Sequence, residues 1–79
     1  MALRAYIFID VAGEKAKDAY KNISEIKEVK SLDAVTGPYD IIAIVEAKDL
    51  KNLAEMVVSK IRGVEGVINT MTNVVVDIT

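Results

Sequence analysis

The 79-residue chain contains no cysteine and no histidine. Without cysteine there is no disulfide, no thiolate metal site and no thiol nucleophile. Without histidine the commonest general base and the commonest transition-metal ligand are missing too. Any chemistry would fall to carboxylates, lysine, tyrosine, serine and threonine. The composition therefore argues against an enzyme, and no catalytic residue, metal site or cofactor is expected. A surplus of positive charge is also absent: ten Lys and Arg stand against twelve Asp and Glu, for a net charge of −2 and a pI near 5.0. Such a chain has no basic field for a phosphate backbone, so direct contact with nucleic acid is not expected. Long apolar runs are missing as well. The longest lies within residues 41–45 and stops at Glu46, against the roughly 18 to 20 residues of a membrane span. Met1-Ala-Leu-Arg4 enters an alternating pattern at once, with no apolar leader and cleavage site, which points to a cytoplasmic protein with no membrane partner.

A chain of this size makes one domain at most, spanning residues 1–79, and buries only about 60 % or slightly more of its unfolded surface. It is marginal alone, and assembly would relieve that. Residues 3–11 alternate as a strand, with Leu3, Ala5, Ile7, Ile9 and Val11 on one face and Arg4, Tyr6, Phe8 and Asp10 on the other. From Glu14 the period becomes helical. Ala12, Ala16, Ala19, Tyr20, Ile23 and Ile26 recur opposite a charged face that includes Lys15, Lys17 and Lys21, and that face reads as solvated. A second strand is expected over residues 29–36, with Leu32, Ala34 and Thr36 facing one way and Val29, Ser31, Asp33 and Val35 the other.

Gly37-Pro38 ends that strand, because proline fixes φ and lacks an N–H while glycine admits the dihedrals of a tight connection. Residues 39–47 follow with both alternating sets apolar, the pattern of a strand covered on both faces and placed centrally. Asp49 is suited to cap a helix over residues 49–62, in which Leu50, Leu53, Ala54, Val57 and Ile61 make one stripe and Gly63 the stop. Residues 67–78 read as the last strand, with Ile68, Thr70, Thr72, Val74, Val76 and Ile78 on one face.

The order is strand, helix, strand, twice over. Ile26-Lys-Glu-Val29 and Val64-Glu-Gly-Val67 hold equivalent places, which makes a two-fold internal repeat. Two such units joined by a short hairpin predict an α+β, ferredoxin-like βαββαβ fold, with both helices on one face of a four-stranded antiparallel sheet. The other face, carrying Tyr6, Phe8 and one apolar set of the third strand, is left uncovered. A patch of that kind marks a partner surface, here a second copy paired sheet to sheet.

This order, together with Thr36-Gly-Pro-Tyr-Asp40 running into Ile-Ile-Ala-Ile-Val45, resembles the effector-binding (RAM) domain of the Lrp/AsnC regulators. The passage Ile61-Arg-Gly-Val-Glu-Gly-Val67 into Asn69-Thr-Met-Thr72 adds to the likeness, which covers essentially the whole chain. The resemblance implies a domain that pairs sheet to sheet, builds rings of dimers and binds a free amino acid in the cleft between dimers. Full-length members carry a helix-turn-helix ahead of this domain, so the chain looks like a stand-alone form. It would act through a partner, for instance by co-assembling with a full-length regulator.

Carried over residue by residue, the resemblance makes Gly37, Tyr39, Asp40, Thr70 and Thr72 the ligand-binding residues. The chemistry agrees: a zwitterion needs acceptors for its ammonium, which Asp40 supplies, and donors for its carboxylate, which backbone N–H groups and threonine hydroxyls supply. Each residue also has an ordinary reading, Gly37 as a turn glycine, Tyr39 as a strand-edge aromatic, Asp40 as a hairpin cap and the threonines as strand formers. Met56 and Met71 read as packing. Three other functions stay open beside amino-acid sensing: a purely structural assembly domain, a small dimeric α/β-barrel enzyme and an ACT-like metabolic sensor.

Overall fold

The computed structural model of the chain describes residues 2–78. Apolar alternation along Leu3–Val11 gives strand β1, in which Ala5, Ile7, Ile9 and Val11 are buried while Tyr6 stays exposed. A short 3-10 turn at Gly13–Lys15 leads into helix α1, Ala16–Ser24, which buries Ala19 and Ile23 against the sheet. Strand β2 is Val29–Ala34 and β3 is Ile41–Ala47. Helix α2 begins at Leu50, where Asp49 Oδ1 accepts the N–H of Asn52 at 2.8 Å, the capping bond expected of an aspartate at that position. After Met56 the helix widens into a π turn over Val57–Ile61, closed by Arg62 N–H to Val57 O at 2.8 Å. Strand β4, Val67–Val74, completes the chain's regular structure.

The strands pair antiparallel in the order β2-β3-β1-β4, so β1 and β3 are central. This is the ferredoxin-like α+β fold. Side chains from the buried faces of β1 and β3 meet Ala19 and Ile23 of α1 and Leu53, Met56, Val57 and Ile61 of the second helix in one continuous core. The internal repeat is visible in the backbone. Val29 N–H bonds Ile26 O and Ile26 N–H bonds Ile23 O in the first half, as Val67 N–H bonds Val64 O and Val64 N–H bonds Ile61 O in the second.

Three details differ from simple alternation. β2 carries an extra residue between Val29 and Ser31, so Val29 and Leu32 both turn towards the core rather than to opposite faces. A second irregularity, where Asn69 opposes Asp10 but Val67 opposes Val11, pushes Ile68 out to 69 % exposure, off the face it would share with Thr70. β4 also ends at Val74 rather than at residue 78, because its ladder with β1 closes on the pair Ala5–Val74 and only Val75 N–H to Arg4 O follows.

Gly66 holds the second half of the fold against the first. Its φ is +99°, and a Cβ there would lie 2.5 Å from the Cβ of Lys15. Ala12 N–H bonds its carbonyl at 2.8 Å. Glycine is required both for the backbone dihedral and for the closeness of the two segments.

Candidate functional site

Residues 35–40 connect β2 to β3 in a tight turn closed by Val35 N–H to Asp40 O at 2.8 Å. Gly37 sits at φ +138° with open space around it, and the Gly37–Pro38 peptide is cis. At the end of the turn two neighbouring side chains part company. The Tyr39 ring packs on Phe8, centroids 5.4 Å apart and planes tilted by 37°, and its hydroxyl lies 4.0 Å from Met71 Sδ. Asp40 is drawn towards the end of β1. Its N–H donates to Ile9 O at 3.1 Å and its Oδ2 accepts the Val11 N–H at 2.9 Å.

The five residues singled out in the sequence consequently border three separate cavities. Gly37 and Tyr39 line one of about 270 Å³ on the uncovered face of the sheet, with Phe8, Ile42 and Met71. Asp40 lines a second, of about 280 Å³, with Val11, Ala16, Lys17, Tyr20 and Ile41. Thr70 and Thr72 line a third, of about 400 Å³, beneath the second helix with Leu53, Val57 and Arg62. The register explains the split: Phe8 opposes Met71, whereas Ile7 and Ile9 oppose Thr72 and Thr70, so the threonines belong to the helix-covered side. One protomer thus brings Gly37 and Tyr39 together but does not join them to the threonine pair.

Other residues at these cavities were not legible as site residues. Met71 is 45 % exposed beside Tyr39 rather than packed away, unlike Met56, which is in the core. Lys17 falls on the polar side of α1, and only the packing of that helix beside the hairpin brings it to the Asp40 cavity. Tyr20, in the same cavity, has its hydroxyl engaged, donating to Leu32 O at 3.0 Å.

A larger hollow of about 620 Å³ lies at the far end of the sheet, bordered by Lys27, Lys30, Lys48, Lys60, Glu28 and Glu46 among others. Lys60 reaches Glu28 at 3.0 Å, and this hydrogen bond holds the Glu28 carboxyl below its ordinary value of 4.5. Among the described residues there is no cluster of three or more His, Cys, Asp or Glu able to hold a metal ion. Among the same residues, no helix is long and apolar enough to cross a membrane.

The family model of the Lrp/AsnC ligand binding domain matches residues 4–79. An uncharacterised HTH-type transcriptional regulator of Pyrococcus furiosus is 31 % identical over 74 residues, 94 % of this chain and 50 % of that protein. The chain thus spans about half the length of the curated relatives it matches. The crystal structure of a Thermus thermophilus protein superposes with a TM-score of 0.90 at 31 % identity, covering 98 % of this chain and 96 % of that one. A Neisseria meningitidis transcriptional regulator, solved as its complex with L-Met, superposes with a TM-score of 0.81 at 25 % identity, over 96 % of this chain and 51 % of that one. With the fold and a family match running from residue 4 to residue 79 in agreement, the chain belongs to the Lrp/AsnC ligand-binding domains.

Proposed function

We propose that this domain, taken as one unit over residues 1–79, senses a free amino acid and passes the binding event, through its own assembly, to transcription regulators of the Lrp/AsnC type. It works as a regulatory module rather than an enzyme, in the cytoplasm. The observation that carries this reading is the match of residues 4–79 to the Lrp/AsnC ligand binding domain; Gly37, Tyr39, Asp40, Thr70 and Thr72 border separate cavities of one protomer. The pairing of β4 with β1 leaves Gly37 and Tyr39 on the uncovered face of the sheet and Thr70 and Thr72 on its helix-covered face, so one protomer does not close these groups around one small ligand. A cleft that unites the turn with a threonine pair needs the threonines of another copy.

The uncovered sheet face supports assembly. Tyr6 is 39 % exposed and Met71 45 %, with Phe8, Ile42 and Ile44 beside them. Covering that face with a second copy gives a sheet-to-sheet dimer and enlarges the core of a very short chain. Dimers then meet in a ring, and the amino acid lies in the cleft between them. Asp40 accepts the ligand ammonium, while the Gly37 N–H and the hydroxyls of Thr70 and Thr72 donate to its carboxylate. Tyr39 forms the aromatic wall. The L-Met complex of the Neisseria relative supports an amino acid as the class of effector. A full-length regulator joining the same ring would supply the contact with DNA.

A second reading, a purely structural assembly domain, draws on the bond from Val11 to Asp40, which already occupies one carboxylate oxygen. A thermal-shift screen of the twenty amino acids, run with light scattering for mass, separates the two. Ligand at a hundred-fold excess over Kd adds ~2.7 kcal/mol of stability, so a true effector raises Tm clearly. An assembled protein that no amino acid stabilises would leave the structural reading, and a monomer would overturn both.

A further inference from the structure

Resting on the assembly part of that reading, we infer that the edge formed by β4 and the second helix is a contact between copies, in which β4 pairs antiparallel with the β4 of a second copy. The internal repeat exposes the reason. Val29, Ile26 and Ile23 correspond to Val67, Val64 and Ile61, so along the chain Tyr20 corresponds to Val58, Lys30 to Ile68, Leu32 to Thr70 and Asp33 to Met71. In the first half the gap between helix and edge strand is bridged, because the Tyr20 hydroxyl donates to Leu32 O at 3.0 Å. Exposed Lys30 and Asp33 add charge to β2, and charge is what keeps an edge strand from pairing. Both edge strands bulge at the corresponding place, but the residue displaced is Lys30 in β2 and Ile68 in β4. The second half thus carries Val58, Ile68 and Met71 where the first has a bridging hydroxyl and two charges.

This second edge is open and uncharged. No Asp, Glu, Lys or Arg occurs from Val67 to Val76. Leu50, Ala54 and Val58, an exposed stripe on the second helix, border a groove of about 400 Å³ with Thr70, Thr72 and Val74, and Arg62 is the one charged residue among the described lining. The backbone is available too. Val75 N–H bonds Arg4 O, so alternation along the ladder turns the N–H and C=O of Thr70, Thr72 and Val74 away from β1. β4 is last in the sheet, and the Thr70 N–H meets only the side chain of its neighbour, Asn69 Oδ1, at 3.1 Å.

A second copy is the partner that fits. Edge strands related by a two-fold axis run antiparallel, and an uncharged β4 can oppose itself without bringing like charges together. Met71 and Asn73 carry β4 into the uncovered sheet face, so a copy on the edge is continuous with a copy on the face and does not compete with it. With one contact through the face and another through the edge, dimers link onward into a ring. The seam also puts Thr70 and Thr72 where dimers meet.

The test is the mass of the full chain by light scattering, paired with amide hydrogen exchange. Wild type is expected above the mass of two chains, with the Thr72 amide protected. Ile68→Lys and Val58→Lys each return a charge to the edge at an exposed position, so folding should be kept, and an unchanged circular dichroism spectrum checks this. Either variant should fall to two chains and exchange the Thr72 amide at least ~10-fold faster, and combining Ile68→Lys with Ile44→Lys should give single chains. Masses equal to wild type in both edge variants, or a Thr72 amide that exchanges in wild type as fast as in Ile68→Lys, would overturn the pairing. A wild type of two chains that Ile44→Lys splits and Ile68→Lys does not would also overturn it, and would leave the sheet-to-sheet dimer standing. A monomeric wild type would overturn both. If no amino acid raises Tm while the masses behave as expected, sensing fails and the β4 contact stands.

Discussion

The backbone N–H of Val11 donates to Oδ2 of Asp40 at 2.9 Å, tying the last residue of β1 to the residue that enters β3. The bond gives Asp40 a structural task beside the binding role proposed for it, and the two can be separated chemically. Asp40→Asn keeps an oxygen for Val11 but loses the charge, whereas Asp40→Ala loses both. We expect Asp40→Asn to unfold within a few degrees of wild type while no longer responding to an amino acid. Asp40→Ala should cost ~1 kcal/mol more in urea unfolding. Equal stability of the two variants would mean that the Val11 bond contributes nothing.

Ile44 lies on the uncovered face of a central strand, directly opposite Tyr6. Its substitution by lysine places a charge where a monomer exposes it to water but a sheet-to-sheet dimer buries it, and a buried unpaired charge is not tolerated. Ile44→Lys should therefore lower the mass measured by light scattering by separating the copies that meet face to face. An unchanged mass would show that the copies meet elsewhere.

Gly66 and Gly37 both have positive φ, yet only Gly66 faces a neighbour at close range. Strain alone costs ~1–3 kcal/mol at such a position, and Gly66→Ala adds a collision with Lys15 Cβ, close to the main chain. The expected order in chemical denaturation is a clearly larger loss for Gly66→Ala than for Gly37→Ala. Comparable losses would contradict the close packing of the two segments.

The Lys60–Glu28 pair predicts a small acid-dependent term. The folded Glu28 carboxyl lies below its ordinary value of 4.5 because of the Lys60 hydrogen bond. Its contribution is fully present above that ordinary value and disappears as pH falls through the lower, folded one. With Lys60 nearly half exposed, at 47 %, solvent screening keeps the effect to ~0.5 kcal/mol. Glu28→Gln should be slightly less stable than wild type at pH 7, with the gap closing on acidification and in high salt. A gap that persists at the lowest pH would assign the effect to something other than the ion pair.

Much of the fold can be read from residue order alone. The period of two along Leu3–Val11, the helical stripe through Ala16, Ala19 and Ile23, the Asp49 cap and the doubly apolar Ile41–Ala47 each act locally, so local physics is enough to place them. The bulge between Val29 and Ser31 and the displacement of Ile68 could not be read this way, because a bulge is set by the length a strand must match in its partner. The π turn at Val57–Ile61 lies in a stretch whose apolar spacing reads as ordinary helix, and nothing in the structure explains why it widens there.

The turn at Gly37 to Asp40 shows the same division at the candidate site. Its residue types, a glycine at the bend, an aromatic hydroxyl and a carboxylate, are properties of the sequence and are what make the turn a candidate site. Where they aim is a tertiary matter. Phe8 captures Tyr39 on one face, Val11 and Ile9 capture Asp40 at the end of β1, and the register of β4 turns Thr70 and Thr72 to the helix side. The sequence by itself determined the elements, their order and the chemistry available. Only the packed sheet decided which groups share a cavity, because pairing register and side-chain capture depend on strands far apart in the chain.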